Sequence, residues 1–221
     1  MPQNLFVKPP RLNTFNREIL RATNLTTTLR LLRQAIFETL VPTSLHIFVY
    51  DPLAGAYLAA PDYSVTPPKS TSDIRFQENC ALSQWLANRH QAAFLTAPQT
   101  LPATLKADQA RIALLGTSLF VPLPGSQRLL GWVALGPRHS GSGYKKQDLA
   151  YLEALCEQAA LALERSQVVA GLEYRVHSLE ILTRISQGIN ITLSFDDTLE
   201  LIYTQTNNVL PTRDLNISLY D

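Results

Sequence analysis

The chain has 221 residues, of which 46% are hydrophobic and 17% charged, and carries a formal net charge of +1. That length accommodates one or two globular domains, and a near-neutral charge gives no electrostatic reason to expect nucleic acid or an anionic membrane as partner. No apolar run approaches the roughly 18 residues of a membrane span, and residues 1–13 lack the apolar core of a secretory signal. Cys80 and Cys156 give no disulfide framework, and together with four scattered histidines they show no metal-ligand spacing. The expected location is a reducing cytoplasm.

Residues 1–13 carry three prolines and little pattern, and read as a loose arm. From 14 to 40 the apolar residues Phe15, Ile19, Leu25, Leu29, Leu32, Ile36 and Leu40 fall mostly three, four or six apart, as a helical face requires. Asn24 and Thr26, Thr27 and Thr28 interrupt it. Such side chains bond back to the main chain and favour a break or a new N-cap, so two helical pieces are predicted, the second ended by Pro42. Residues 45–50 form a strand rich in β-branched and aromatic residues. A turn over 51–55 returns the chain through 56–60 as a hairpin. Residues 61–73, rich in Pro, Ser and Thr, are an exposed loop. A short helix over 79–90 buries Leu82, Trp85 and Leu86. A small strand follows at 92–95, then a loop over 98–115 with a helical portion at 105–112. Strands at 117–123 and 129–135 flank the turn Pro124-Gly125-Ser126-Gln127, and 136–143 is a glycine-rich connection. A helical pattern then runs from 145 to about 187, about 60 Å at 1.5 Å per residue. The fold class is α+β: an antiparallel sheet of five to six strands with flanking N- and C-terminal helices, followed by a long linker helix.

In the later part of that helix Val169, Leu172, Val176 and Leu179 are spaced alternately three and four, the seam of a coiled coil, with Glu173, Arg175, Glu180 and Arg184 beside it. Pairing with a second copy buries such a stripe, so a parallel homodimer is expected. Residues 199–221 then repeat residues 29–51 without gaps. Seven positions are identical: Leu29/Leu199, Leu31/Leu201, Leu40/Leu210, Leu45/Leu215, Ile47/Ile217, Tyr50/Tyr220 and Asp51/Asp221. Unrelated segments share about one or two. One supersecondary unit is used twice. The expected organisation is an arm over 1–13, a domain over 14–164, a linker helix over 165–187, and the opening of a second copy over 188–221.

The run Leu119-Phe120-Val121-Pro122-Leu123, the strand Gly131-Trp132-Val133-Ala134-Leu135-Gly136, and a helix carrying Tyr144, Asp148, Leu149, Leu152, Leu155 and Gln158-Ala159-Ala160-x-Ala162-Leu163-Glu164 resemble the GAF domain family. The resemblance covers about 14–164 and extends the fold expectation to a GAF/PAS-like sheet. Bilin-carrying members attach pigment through a cysteine usually followed by histidine; here Cys80 precedes Ala81. Cyclic-nucleotide-binding members carry Asn-Lys where this chain has Pro137-Arg138, and Glu where it has Leu149. Thiol-based members rely on a cysteine cluster, which two cysteines do not make. Bilin, haem and metal therefore find no support, and the cofactor is left unknown. By analogy with the family pocket, Phe76, Trp85, Arg111 and Thr117 would line a small-molecule site, with Arg111 facing an anionic ligand.

No serine-nucleophile motif or phosphate loop is present in the sequence, and no catalytic residue is assigned. The expectation is a sensory or regulatory module of a signal-transduction protein such as a sensor histidine kinase. It would bind a small molecule or dimerise, and pass its state through the helical linker to a downstream signalling domain of the same polypeptide. The alternatives are a ligand-free dimerisation spacer and a thiol-based enzyme.

Overall fold

The computed structural model describes residues 10–95, 101–190, 195–210 and 215–218. The chain divides into two compact units, residues 1–167 and 168–221.

In the first unit, helix α1 spans Pro10–Arg21. It takes in residues 10–13, which the sequence pattern left in a loose arm. Proline is tolerated at the first helical position because its missing N–H has no partner there. Leu12, Phe15 and Ile19 make the buried face. Helix α2, Leu25–Leu40, starts where Asn24 caps it, the side-chain oxygen accepting from the Thr27 N–H at 2.8 Å. It ends at Leu40, before the Val41-Pro42 junction: Val41 has φ 46°, a left-handed conformation that costs a β-branched residue dearly. Its N–H donates to the Phe37 carbonyl and its own carbonyl accepts from His139 N–H, which holds it there.

Six strands follow, β1 Leu45–Asp51, β2 Ala56–Ala59, β3 Arg75–Gln77, β4 Ala93–Phe94, β5 Leu119–Pro124 and β6 Leu129–Leu135. They form one sheet in the order β3-β2-β1-β6-β5-β4, every neighbouring pair antiparallel. Strand β3 was not anticipated. Between the strands lie α3 (Ala81–Ala87), a 3-10 turn (Ala103–Asp108) and α4 (Gln109–Leu114).

Strand alternation sorts the side chains into two cores. Leu45, Ile47, Val49, Leu119, Val121, Leu123, Val133 and Leu135 pack with α1, α2 and the first part of α5, which spans Lys146–Asn190. Phe48, Tyr50, Phe120, Trp132 and Ala134 pack on the other side with residues of α3 and α4. Gly131 pairs with Val49 where β1 and β6 run together, and a Cβ there would strike the Phe48 carbonyl.

In the second unit α5 continues unbroken to Asn190, and α6 spans Phe195–Val209 with no buried residue. Residues 215–218 show no strand, and the last three positions of the repeated strand lie outside the described residues.

Gly131→Ala is expected to destabilise the first unit by about 3 kcal/mol, the upper part of the overpacking range. Gly171→Ala, where nothing lies within 4 Å of the added atom, should instead stabilise its helix by up to about 1 kcal/mol. Urea denaturation of the two variants checks both signs.

Candidate functional site

The face of the sheet beneath α3 and α4 is where the family analogy places a pocket. Register brings four aromatic rings together there. Phe48 pairs across to Trp132, with ring centroids 5.2 Å apart and stacked. Phe76 pairs with Tyr57 and meets Phe48 and Trp132 edge-on at 5.3 and 5.4 Å. Tyr57 lies 4.7 Å from Trp132, and its hydroxyl donates to the Leu129 carbonyl at 2.9 Å. Leu82, Leu86, Leu105 and Phe120 complete the cluster with no exposed surface. Side chains thus fill this core. Trp132 Nε1 is buried there with no partner among the described residues.

Of the four expected lining residues, Phe76 belongs to the aromatic cluster and Trp85 packs against the same core. Trp85 is half-buried with the Arg89 guanidinium 5.0 Å over its ring. Arg111 has a half-exposed side chain and donates to Asp108 Oδ1 at 3.0 Å. Asp108 is buried, and its other oxygen accepts from the Leu82 N–H at 2.9 Å in the first turn of α3. Arg111 therefore balances a carboxylate that serves a helix terminus. Thr117 is buried and its hydroxyl has no partner among the described residues. Cys80 packs against the same core at the start of α3. It is the N-cap, its sulfur accepting from Ser83 N–H at 3.3 Å, and burial raises its pKa. Cys156 is fully buried in the opposite core, and burial raises its pKa as well. On opposite faces of the sheet the two thiols cannot form a redox pair.

Where β2 diverges from β1, Arg33 of α2 takes over the strand edge. Its Nη1 donates to the Leu45 carbonyl at 3.2 Å, and its Nε lies 3.7 Å from Asp62. The neighbouring His46 is held below its usual pKa, first by burial and then by the Arg33 charge, and its Nδ1 is buried without a partner among the described residues.

Helix α5 is fastened to this unit by apolar contact and by polar side chains, four of them charged. Leu152, Leu155, Cys156, Ala159, Ala160 and Leu163 are almost wholly buried. Asp148 accepts from Lys145 N–H at 2.8 Å and from Arg138 at 3.1 Å, and Arg138 also donates to the Leu40 carbonyl. Glu153 accepts from Ala92 N–H at 2.7 Å. Glu164 accepts from the Ser126 hydroxyl and from its N–H, bonds that hold the carboxyl below its ordinary pKa. Arg165 donates to the Ala22 and Ile19 carbonyls at 2.6 and 3.3 Å, closing the end of α1. The sequence pattern pointed to Asp148 and Glu164 but not to Glu153 and Arg165; Tyr151 adds a hydroxyl contact to Thr39 of α2 at 3.2 Å. Beside this helix, a cleft of about 220 Å³ opens between α1, α2 and α5, bordered by Phe15, Glu18, Leu31, Glu38 and Tyr151. In the second unit the expected seam residues Val169, Leu172, Val176 and Leu179 are 40, 54, 55 and 63% exposed.

A family model described as GAF domain matches residues 22–164. Among solved structures, a bacteriophytochrome from the photosynthetic bacterium R. palustris superposes with a TM-score of 0.62 at 10% identity, over 95% of this chain and 48% of that one. The GAF domain of an Acinetobacter phosphoenolpyruvate-protein phosphotransferase gives 0.54 at 16% identity, over 72% and 93%. Residues 122 to 287 of a methyl-accepting chemotaxis protein give 0.53 at 13%, over 70% and 98%. At these identities the likeness is one of fold. No curated protein matches the chain.

Phe76→Ala should cost about 3–5 kcal/mol, because a fully buried ring leaves a cavity among rigid neighbours; chemical denaturation measures it. For His46, the folded pKa lies below the unfolded 6.5. The unfolded chain then binds more protons just below pH 6.5, so stability is full above that pH and falls as acid is added. His46→Gln should flatten the decline in denaturation midpoint between about pH 7.5 and pH 5.

Proposed function

Because the chain belongs to the GAF domain family over residues 22–164, we propose that it is a regulatory module of a cytoplasmic, multidomain signal-transduction protein, of the kind a sensor histidine kinase represents. Its output element is α5. The observation that carries this reading is one continuous helix whose first part is locked into the sheet domain and whose later part, residues 168–190, belongs to a second unit. A change that alters how Glu164 and Arg165 grip their partners changes the register or order of everything C-terminal to them on the same helix. Among the described residues no helix is long and apolar enough to cross a membrane. We assign the segment no catalytic step.

The filled aromatic face favours a module that works without a small molecule under α3 and α4. The input is then a neighbouring domain or a second copy of the chain. A small-molecule input is the second reading; Trp132 Nε1, a buried donor without a partner, is the observation that favours it.

We also read residues 180–218 as the opening of a second module of the same kind. Helix α6 begins 170 positions after α2 and ends within one residue of the same offset. The offset extends backward into α5: Leu12, Phe15 and Ile19, the buried face of α1, correspond to Leu182, Ile185 and Ile189. Leu29, Leu32 and Leu40, buried in α2, correspond to Leu199, Ile202 and Leu210. The R. palustris likeness, which covers 95% of this chain, takes in part of this second unit too.

Two measurements test the relay. In the Glu164→Gln/Arg165→Met variant, amide hydrogen exchange over 168–180 should speed up several-fold, as a helix released from its anchor frays; unchanged exchange there would count against relay through α5. Native mass spectrometry of the purified chain should show no bound small molecule, and a stoichiometric companion would replace the ligand-free reading by the ligand-binding one.

A further inference from the structure

The later part of α5 carries more information than an apolar stripe. With Val169 placed at the first core position of a heptad, Val176 and Thr183 fall at the same position in the next two, and Leu172 and Leu179 at the second core position. β-Branched residues at the first and leucine at the second is the combination that favours two parallel strands. Both sets are substantially exposed in the single chain. Gly171 and Tyr174 fall on the side away from the seam, where Tyr174 is 69% exposed and Gly171 has nothing within 4 Å. The glycine therefore leaves no hole in the packing surface.

Charge decides orientation and register. The positions flanking the seam on one side are Glu173, Glu180 and Gln187, and on the other Val168, Arg175 and Leu182. In a parallel pair, each residue of the second set faces the residue five positions later in the first set of the other helix. Arg175 then meets Glu180 of the second copy, once on each side of the two-fold axis. In an antiparallel pair each flank faces its own kind, which brings Glu173 and Glu180 against glutamates and leaves Arg175 without an acidic neighbour. A shift by one heptad in the parallel pair halves the match, because Arg175 of one copy then faces Glu173 while Arg175 of the other faces Gln187.

We propose that residues 168–183 pair with the same residues of a second copy of this chain, parallel and in register, and that reciprocal Arg175–Glu180 contacts fix that register. The seam stops near Thr183 for a reason visible in the sequence: Leu182, Ile185 and Ile189 are the counterparts of the core face of α1. The helix passes there from facing a partner helix to facing the core of its next module. The proposal rests on the reading of α5 as an output element only for its purpose; pairing itself survives the failure of relay.

The test is light scattering of the whole chain across a concentration series, with charge-swapped variants. The wild-type chain should be dimeric. Arg175→Glu and Glu180→Arg should each weaken the dimer about tenfold, since each swap turns two attractions into two repulsions, and the double swap should restore it to within about threefold. Leu172→Cys should form disulfide-linked dimers on mild oxidation, as equivalent residues meet across a parallel in-register seam. A wild-type chain that stays monomeric overturns the pairing. A dimer indifferent to the single swaps, or not restored by the double one, overturns the register. A dimer that survives Val169→Asp/Val176→Asp lies elsewhere on the chain and overturns the proposal. Relay is read separately, in the exchange of residues 168–180 when the Glu164 and Arg165 contacts are removed.

Discussion

The contact on which the rest of this molecule depends is the close approach of α5 to the sheet. Ala159, Ala160 and Ala162 are buried small residues, and they let the helix backbone come near enough for Leu152, Leu155 and Leu163 to interleave with Ile47, Val121 and Val133 in one core. Dispersion and area burial at such a contact scale with closeness, so the alanines matter for what they omit. Polar bonds then set the angular register that apolar packing leaves loose. Glu153, Glu164 and Arg165 each reach main-chain groups of a different element, the approach to β4, the turn between β5 and β6, and the end of α1. Main-chain partners are fixed in place in a way that side-chain partners are not, which makes these bonds reporters of helix position.

The two faces of the sheet have been put to different uses. On the α1, α2 and α5 face the residues are aliphatic and the packing carries the helix layer. On the other, the rings of Phe48, Tyr57 and Phe76 each lie within 5.5 Å of Trp132. Offset and edge-on ring pairs add to the area they bury, so filling this space with side chains gives the first unit stability that does not wait for a ligand.

Much of this was legible in the sequence because its signals are local. The hairpin of β5 and β6, the N-cap at Asn24 and the start of α5 at Asp148 are each written within a few residues. What was not legible depends on pairing across distance. Strand β3 has three residues, of which only Phe76 is buried, and no alternation can be read from so short a run. The filling of the aromatic face follows from Phe48 lying opposite Trp132 and Phe76 opposite Tyr57, a register that only the assembled sheet reveals. Arg111 looked available for an anion because the sequence does not show Asp108 buried beside it. Cys80 sits one residue before α3, and its role as a cap turns on a helix boundary that periodicity leaves uncertain by a few residues.

Helix α5 reads as one pattern only if its length is ignored. Its first part has the broad apolar face of a helix lying on a sheet, its middle the narrow alternating seam of a helix lying on another helix, and its last turns the face of a module's opening helix. An α-helix turns about 100° per residue, so each pattern is read as a stripe of its own width along the one helix. Proline is absent between Lys146 and Asn190, and Gly171 stands on the open side. The proposed relay uses that continuity: a change at Glu164 and Arg165 would travel toward the seam along hydrogen-bonded backbone.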